Sequence, residues 1–382
     1  MPGVEEPVAL AGTVRARTAE QTWAAVAGHL PGFGITRVAD LTGLDAIGLP
    51  VWTAIRPASK TLSTSQGKGA TPLLAKLSAV MEAIELWHAE QPLPAAAVGP
   101  AAEVAPHCPV AALPLMAPYP ADALARVVCE WTAGTTLVSG ATALLPLDLV
   151  RRRGQRPAWT PDVWRATSTG LACGNTRDEA LLHALFEVAE RDVLYRDGQE
   201  HGRLRTLIDP GTVDDPHGQE VIGRLRAAGM ALEVSLVDGP YGLPVCVAYL
   251  WSEDYPVLFA GGGCHSVPGI ALTRAVTEAA QSRLAAIAGT RDDLPTAPPA
   301  FDLPSFPQPQ PAHRASWPQA MASYRPLGGG FADQVRAVAR RFESVTGHQP
   351  VALDLSGPHC PVHAVQVLCP GTRSRIRRSM PR

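Results

Sequence analysis

The sequence lacks most of the short signatures that identify common nucleotide-binding proteins. It contains no GxxxxGK[ST] loop, and no GxGxxG turn follows a predicted strand, so neither a P-loop fold nor a dinucleotide-binding fold is supported. The protein-kinase signatures HRD and DFG are also absent. Any nucleotide site in this chain must therefore be built in another way.

Other absences indicate the class of protein. The 7 cysteines are scattered and odd in number, which argues against a disulfide framework and favours reduced thiols. There is no apolar run of about 18 residues, and the first residues lack the basic and apolar regions of a secretory signal. The net charge is only -2, so nothing global favours nucleic-acid binding. We expect a cytoplasmic protein that binds neither membranes nor nucleic acid.

What the sequence does contain is one acidic pattern that occurs three times. From Ala75, Ala180 and Ala271, steps of seven and then three residues lead to Glu82 and Glu85, to Glu187 and Glu190, and to Glu278 and Gln281. A glycine-containing segment precedes each copy: SQGKG, STGLACGN or GGGCHSVPG. We interpret these segments as turns that follow a strand. The pattern predicts three repeated strand-turn-helix units.

Local signals support the helices of these units. Thr71 is followed by Pro72, which suits an N-cap and a first helical position. Thr176 and Glu179 have the spacing of a capping box. The two acidic positions of a unit are three residues apart, so they lie on the same helix face.

The carboxylates are better explained by cation binding than by helix stability. Like charges one turn apart repel, and for a single pair a solvent-facing position would be the ordinary explanation. Three matched pairs instead suggest Mg²⁺, which prefers oxygen ligands and often holds nucleotide phosphates. Basic residues that could balance a triphosphate lie on or beside the same helices: Lys68, Arg191, Arg274 and Arg283. His183 and His265 could contact phosphate or transfer protons, although most histidines do neither.

Three stretches of the chain resemble the ATP-binding motifs of one known family. SQGKG...AKLSAVMEAIE, TSTGLACGNTRDEALLHALFEVAERD and ALTRAVTEAAQSRLAAIAGTRDDL are similar to the motifs of YcaO-domain proteins. Members of that family use ATP to phosphorylate a backbone amide oxygen of a ribosomally synthesised peptide. The resemblance implies ATP and Mg²⁺ as cofactors, with carboxylates on several helices holding the metal ions.

The resemblance also implies roles for individual residues. The implied metal ligands are Glu82, Glu85, Glu187, Glu190 and Glu278. The implied ATP-binding residues are Ser78, Lys68, Asn175, Glu179, Arg191, Gln281 and Arg283. A capping role would by itself account for Glu179, and Arg15 and Thr22 match a further ATP-contacting pair only loosely. No residue is identified as the general base or as a nucleophile.

A further stretch suggests a subgroup within that family. GFGITRVADLTGLDAIGLPVWTAIRP, residues 32–57, resembles the subgroup associated with TfuA proteins, some of whose members form thioamides. Many ring-forming members have a fused leader-binding domain or a PxPxP ending, and we expect neither in this chain. Ring formation is therefore the less favoured prediction. The alternatives are a stand-alone cyclodehydratase that forms an azoline (thiazoline or oxazoline) or an amidine, and a non-catalytic peptide-binding scaffold. The implied partners are a precursor peptide, a TfuA-like protein or a separate leader-peptide-binding protein, and a second copy in a homodimer.

The order of predicted elements indicates an α/β fold of YcaO type with internal repeats. We predict an N-terminal α/β part at 1–60, an ATP/Mg-binding core at 61–294, a proline-rich loop at 295–318 and a C-terminal α/β closing unit at 319–382. Residues 92–128, rich in alanine and proline, read as an irregular insertion, and a helix is predicted near 330–346.

Overall fold

The computed structural model describes residues 7–150, 158–159, 161–164, 166–289 and 313–374. Its helices are α1 (Ala19–Val26), α2 (Pro72–Ala89), α3 (Ala101–Val104), α4 (Ala121–Arg126), α5 (Arg177–Gln199), α6 (Pro216–Ala227), α7 (Pro268–Ala288), α8 (Trp317–Met321) and α9 (Phe331–Thr346). Its strands are β1 (Val8–Leu10), β2 (Thr13–Arg15), β3 (Arg37–Asp40), β4 (Val51–Ile55), β5 (Thr64–Lys68), β6 (Ala97–Pro100), β7 (Val128–Thr136), β8 (Thr142–Pro146), β9 (Leu171–Gly174), β10 (Arg205–Ile208), β11 (Ala231–Val237), β12 (Val245–Trp251), β13 (Phe259–Cys264), β14 (His313–Ala315), β15 (Val351–Asp354) and β16 (His363–Leu368). The predicted mixed α/β class is confirmed.

The strands form one small hairpin, β1-β2, and larger sheets of three, five and six strands. Their orders are β3-β4-β5, β13-β12-β11-β10-β14 and β6-β7-β15-β16-β9, with β8 paired to β7. All strand pairs are antiparallel except β10-β14. One end of each larger sheet is β5, β9 or β13, and each of these strands leads into a long helix, α2, α5 or α7. The three predicted repeats are therefore present.

Five of the eight glycines in the repeated segments lie in strands, so their prediction as turns was wrong, whereas Gly170 does lie in a turn. Gly67 is part of β5, and a Cβ atom on it would collide with the backbone of α2 at Ala75 and Ala79. In β9, a Cβ atom on Gly174 would lie 2.6 Å from the backbone nitrogen of Ala180. Because glycine has no side chain, the helix of each unit can lie directly on its own strand. The strand glycines of the repeats therefore serve close packing between strand and helix.

Side chains cap the first two long helices as predicted, with one difference. Thr71 accepts a hydrogen bond from the backbone N–H of Leu74, and Pro72 follows it. Thr176 likewise accepts from the N–H of Glu179. The Glu179 carboxylate instead accepts from backbone N–H groups of Asn175 and Ala16, so only half of the predicted capping box forms.

Two segments are more regular than the sequence suggests. Residues 92–128 contain β6, α3 and α4, and β6 pairs with β7, so the prediction of an irregular insertion was wrong. Of the predicted loop 295–318, residues 295–312 lie outside the described residues, whereas the rest forms β14 and the start of α8. The helix predicted near 330–346 is confirmed by α9.

Sheets cross the predicted segment boundaries. β3 and β4 from the N-terminal part pair with β5 of the core, and β15 and β16 from the closing unit join β7 and β9. The four-part division itself stays a prediction. None of the described helices is long and apolar enough to span a membrane.

Candidate active site

The three repeated units close into a ring. Besides its own strand, each long helix contacts the strand of the next unit: α2 contacts β9, α5 contacts β13 and α7 contacts β5. The arrangement therefore has approximate threefold symmetry, although the three sequences differ. It brings together acidic positions that are far apart in the chain.

The second member of each acidic pair faces the strand of the next unit. The Glu85 carboxylate accepts a hydrogen bond from the backbone N–H of Cys173 in β9, at 2.8 Å. Gln281 donates to the backbone carbonyl of Gln66 in β5, at 3.2 Å. Glu190 lies against β13, where a Cβ atom on Gly262 would be 2.9 Å from its Oε1. Equivalent positions thus make equivalent contacts around the ring.

The carboxylates of α2 and α5 are close enough to influence each other's ionisation. Burial raises the pKa of Glu85 well above its usual value, although the hydrogen bond from the Cys173 N–H opposes this shift. The charges of Glu82 and Glu187 raise the pKa further. Burial also raises the pKa of Glu187 to about 7, although Arg191 opposes the shift. The positive groups near these carboxylates are therefore too few to compensate for the burial and mutual repulsion of their ionised forms.

The third helix completes the acidic group, and two cations accompany it. Burial raises the pKa of Glu190, Arg191 opposes this, and the charge of Glu278 on α7 raises it further. Arg191 lies 3.7 Å from both Glu187 and Glu190. The Lys68 ammonium lies 3.7 Å from the Glu278 carboxylate. The structure thus places all five predicted metal ligands, together with Lys68 and Arg191, in one interacting group.

A third repeated position joins two units directly. Ser78, His183 and Arg274 each lie three residues after the alanine that begins their repeat. Arg274 donates a hydrogen bond to Nε2 of His183 at 2.8 Å, which links α7 to α5. Both residues are candidates from the sequence, but their contact was not predicted. The repeat contained the signal, because the shared offset places them on equivalent faces.

The predicted residues Asn175 and Glu179 form a separate buried cluster at the start of α5. The Asn175 amide donates to the Glu179 carboxylate and accepts from the Thr22 hydroxyl at 2.8 Å. The Arg15 guanidinium lies 3.6 Å from Glu179, and the backbone N–H of Ala16 donates to the same carboxylate. The loosely matched pair Arg15 and Thr22 therefore does lie beside Asn175 and Glu179. Their ATP-binding roles stay predictions.

Arg283 is the predicted ATP-binding residue whose contacts point elsewhere. Its side chain is buried and donates to Asp45, Ser252 and Asp254. It follows Glu278 by five residues, which turns it about 140° around the helix. Its described contacts include none of the acidic group, so they assign it to a structural ion-pair network.

The carboxylates of the ring are better suited to hold Mg²⁺ together with a nucleotide than to hold Mg²⁺ by protein ligands alone. Among the described residues, no three His, Cys, Asp or Glu side chains converge into a complete metal site. Mg²⁺ typically takes one or two carboxylates and completes its shell with phosphates and water. The carboxylates with raised pKa values on neighbouring helices suit that mode. Gln66, on the β5 face that meets α7, also has a buried amide with no hydrogen-bond partner in the described structure.

A comparison with protein families agrees with this site. Residues 66–373 match the family model described as YcaO cyclodehydratase, with ATP and Mg²⁺ binding. The chain belongs to the YcaO family. The cofactor prediction, ATP and Mg²⁺, is confirmed by the family description, and the matched region includes every residue of the acidic group.

Individual YcaO relatives extend this comparison. An uncharacterised protein of Mycobacterium tuberculosis is 37% identical over 301 residues, which cover 77% of this chain and 68% of that protein. An uncharacterised protein encoded in the tfuA 3′ region of Rhizobium leguminosarum bv. trifolii is 34% identical over 378 residues, covering 94% and 88%. A solved structure of YcaO from Methanopyrus kandleri, bound with AMPPCP and Mg²⁺, superposes with a TM-score of 0.73 at 19% identity, covering 98% and 99%. The predicted YcaO-type fold is confirmed.

Proposed function

We propose that this YcaO protein uses ATP and Mg²⁺ to phosphorylate a backbone amide oxygen of a ribosomally synthesised peptide, most directly for thioamide formation. The observation that carries the proposal is the ring of acidic helices, which gathers carboxylates from three units and leaves Arg274 without a carboxylate partner among the described residues. Such a site suits a metal-bound triphosphate.

The thioamide product is favoured by one relative. The Rhizobium protein that aligns with nearly the whole of this chain is encoded in a tfuA region. The resemblance of residues 32–57 to the TfuA-associated subgroup supports the same assignment. We propose a TfuA-like protein as partner for sulfur delivery, a precursor peptide as substrate and a homodimer as the working assembly. A separate leader-peptide-binding protein is the alternative partner.

The residues of the ring have distinct tasks in this proposal. Glu82, Glu85, Glu187, Glu190 and Glu278 would hold Mg²⁺, and Lys68, Arg191 and Arg274 would hold the phosphates. When bound, ATP supplies the phosphoryl group that makes the amide oxygen a leaving group, and Mg²⁺ supplies charge that the phosphates need. The substrate carbon then forms its bond to sulfur as the C–O bond breaks, and the oxygen leaves with phosphate. The protein's task is to position these groups and to supply the charges around them.

A second candidate is dehydrative ring or amidine formation. The observation in its favour is the family description, which names cyclodehydratases. In that reaction a side-chain thiol or hydroxyl, or an amine, replaces sulfide as the nucleophile, while activation of the amide stays the same. The acidic ring supports both outcomes equally, so the product must be measured.

Intact-mass analysis of the candidate precursor peptide encoded beside this gene separates the possibilities. The peptide is incubated with the protein, ATP, Mg²⁺, sulfide and any neighbouring TfuA-like protein. A mass gain equal to replacement of oxygen by sulfur supports the thioamide, whereas the loss of one water supports a ring or an amidine. An unchanged peptide with no ATP hydrolysis contradicts the proposal and favours the binding scaffold.

A further inference from the structure

Arg274 differs from the other cations around the ring. Arg15 lies 3.6 Å from Glu179, Lys68 lies 3.7 Å from Glu278, and Arg191 lies 3.7 Å from both Glu187 and Glu190. Arg274 makes no such ion pair in the described part of the chain. Its described side-chain partner is the His183 ring, 2.8 Å away.

The contact fixes the chemical form of His183. A guanidinium can only donate hydrogen bonds, so Nε2 of His183 must accept, and the ring proton must lie on Nδ1. A protonated imidazole has no free acceptor and could not make this bond. Burial lowers the pKa of His183 well below its usual value, and the nearby charges of Arg274, Arg15, His265 and Lys68 lower it further. His183 is therefore a neutral acceptor.

A neutral acceptor has a specific consequence for an arginine. A carboxylate at this position would orient Arg274 and also cancel its charge, whereas an imidazole orients the side chain and leaves the charge available. Arg274 also influences Glu187 and Glu190, whose pKa values its charge lowers. The positive charge is thus held next to the acidic group without being paired to it.

Stability does not account for His183. Its Nδ1–H is buried and has no acceptor in the described structure. A buried donor left unpaired typically costs about 1 to 3 kcal/mol. The equivalent position in the first unit is Ser78, so the ring does not require an imidazole there. The unpaired Nδ1–H of His183 therefore carries a folding cost that the contact with Arg274 has to offset.

We propose that His183 is a positioning residue that orients Arg274 as an unneutralised cation for the phosphates of the bound nucleotide. The inference rests on the nucleotide binding in the proposed function and is independent of the peptide product. It assigns His183 no contact with substrate.

Three substitutions at His183 test the proposal by separating orientation from charge. His183→Gln keeps a neutral acceptor, and we expect affinity for Mg²⁺–AMPPCP within about threefold of wild type. His183→Leu removes the acceptor, and affinity should fall about 10- to 100-fold, as expected when a charged group loses its orienting hydrogen bond. His183→Glu holds Arg274 but cancels its charge, and affinity should fall further.

Calorimetry with Mg²⁺–AMPPCP, Mg²⁺–tripolyphosphate and adenosine gives the discriminating readout. The two phosphate probes should follow the order His, Gln, Leu, Glu, whereas adenosine should bind all four proteins equally. The melting temperature of His183→Leu should change little, because the loss of the buried unpaired Nδ1–H offsets the loss of the acceptor of Arg274. If His183→Glu binds the phosphate probes as well as wild type, or His183→Leu loses adenosine binding and stability together, the positioning role is wrong. If wild type binds neither phosphate probe, both this inference and the proposed function fail.

Discussion

Two arginines on helix α7 are held in opposite ways. Arg283 is buried among Asp45, Ser252 and Asp254, and its positive charge is neutralised where it lies. Nine residues earlier, Arg274 is held by a neutral imidazole near Glu187 and Glu190, with which it forms no ion pair in the described structure. One end of the helix has its charge neutralised by carboxylates, whereas the other end carries an arginine without a carboxylate partner among the described residues.

The same contrast separates structural from functional charges elsewhere in the molecule. Buried Glu90 accepts hydrogen bonds from Arg56 at 2.6 Å and from the hydroxyls of Ser59 and Thr61. These donors lower its pKa against the effect of burial, so the charge is satisfied within the fold. In the ring, by contrast, the pKa of Glu187 is raised, because its partners do not compensate for burial. Charge that is satisfied within the fold is typical of a structural element, whereas unsatisfied charge indicates a candidate site.

The strongest test of this contrast removes a charge from the ring. Glu82→Gln and Glu187→Gln should each lower ATP turnover by about 1,000-fold, because an amide cannot replace a carboxylate as a magnesium ligand. The melting temperature should not fall, because the ring carries more negative charge than its cations balance. A turnover assay with thermal unfolding on the same samples measures both effects.

Glu20, an exposed residue of α1, provides the matched control. Glu20→Gln makes the same chemical change outside the ring and should leave turnover and stability unchanged. Unchanged turnover in Glu187→Gln would remove this carboxylate from the metal site.

The second test is directed at the complete end of α7. Arg283→Met should destabilise the fold by about 3 to 5 kcal/mol, because it leaves the buried Asp45 carboxylate without its cation. Affinity of the folded protein for Mg²⁺–AMPPCP should be unchanged. Chemical denaturation combined with calorimetry well below the melting temperature measures the two quantities separately.

A double variant sharpens this second prediction. Adding Asp45→Asn to Arg283→Met removes the uncompensated charge and should recover a large part of the lost stability. Weaker nucleotide binding by a well-folded Arg283→Met protein would instead return Arg283 to the ATP site, as the family resemblance implies.

The sequence predicted the ring's components better than its contacts. The repeated offsets identified Glu82, Glu187 and Glu278, because a helical period fixes which residues share a face. The same offsets could not show which helix meets which strand, since that depends on how three sheets are arranged in space. The prediction that Gly67 lies in a turn was wrong for a related reason. Gly67 allows β5 to approach α2 closely, and no local sequence pattern predicts such a tertiary contact. Arg283 was predicted to bind ATP because of its position in the third motif. Only its contacts in the folded protein distinguish it from Arg274.

The smallest expected effect concerns the pH dependence of stability without ligands. The pKa of Glu187 is raised from 4.5 to about 7 in the folded protein. Between these values the folded state binds more protons at this site than the unfolded state, so the site's contribution to stability is lost as pH rises. Glu187→Gln cannot lose a proton and escapes this penalty. Its stability relative to wild type should therefore increase by about 2 to 3 kcal/mol from pH 4.5 to about 7.

Denaturant unfolding of both proteins at several pH values, without magnesium or nucleotide, measures this difference. Adding Mg²⁺–AMPPCP should reverse it, because a bound cation stabilises the ionised carboxylate in wild type, whereas the amide gains nothing comparable. A difference that does not depend on pH would mean that Glu187 is already neutralised within the fold. Glu187 would then be a structural charge, like Arg283 and Glu90, rather than part of the proposed ligand site.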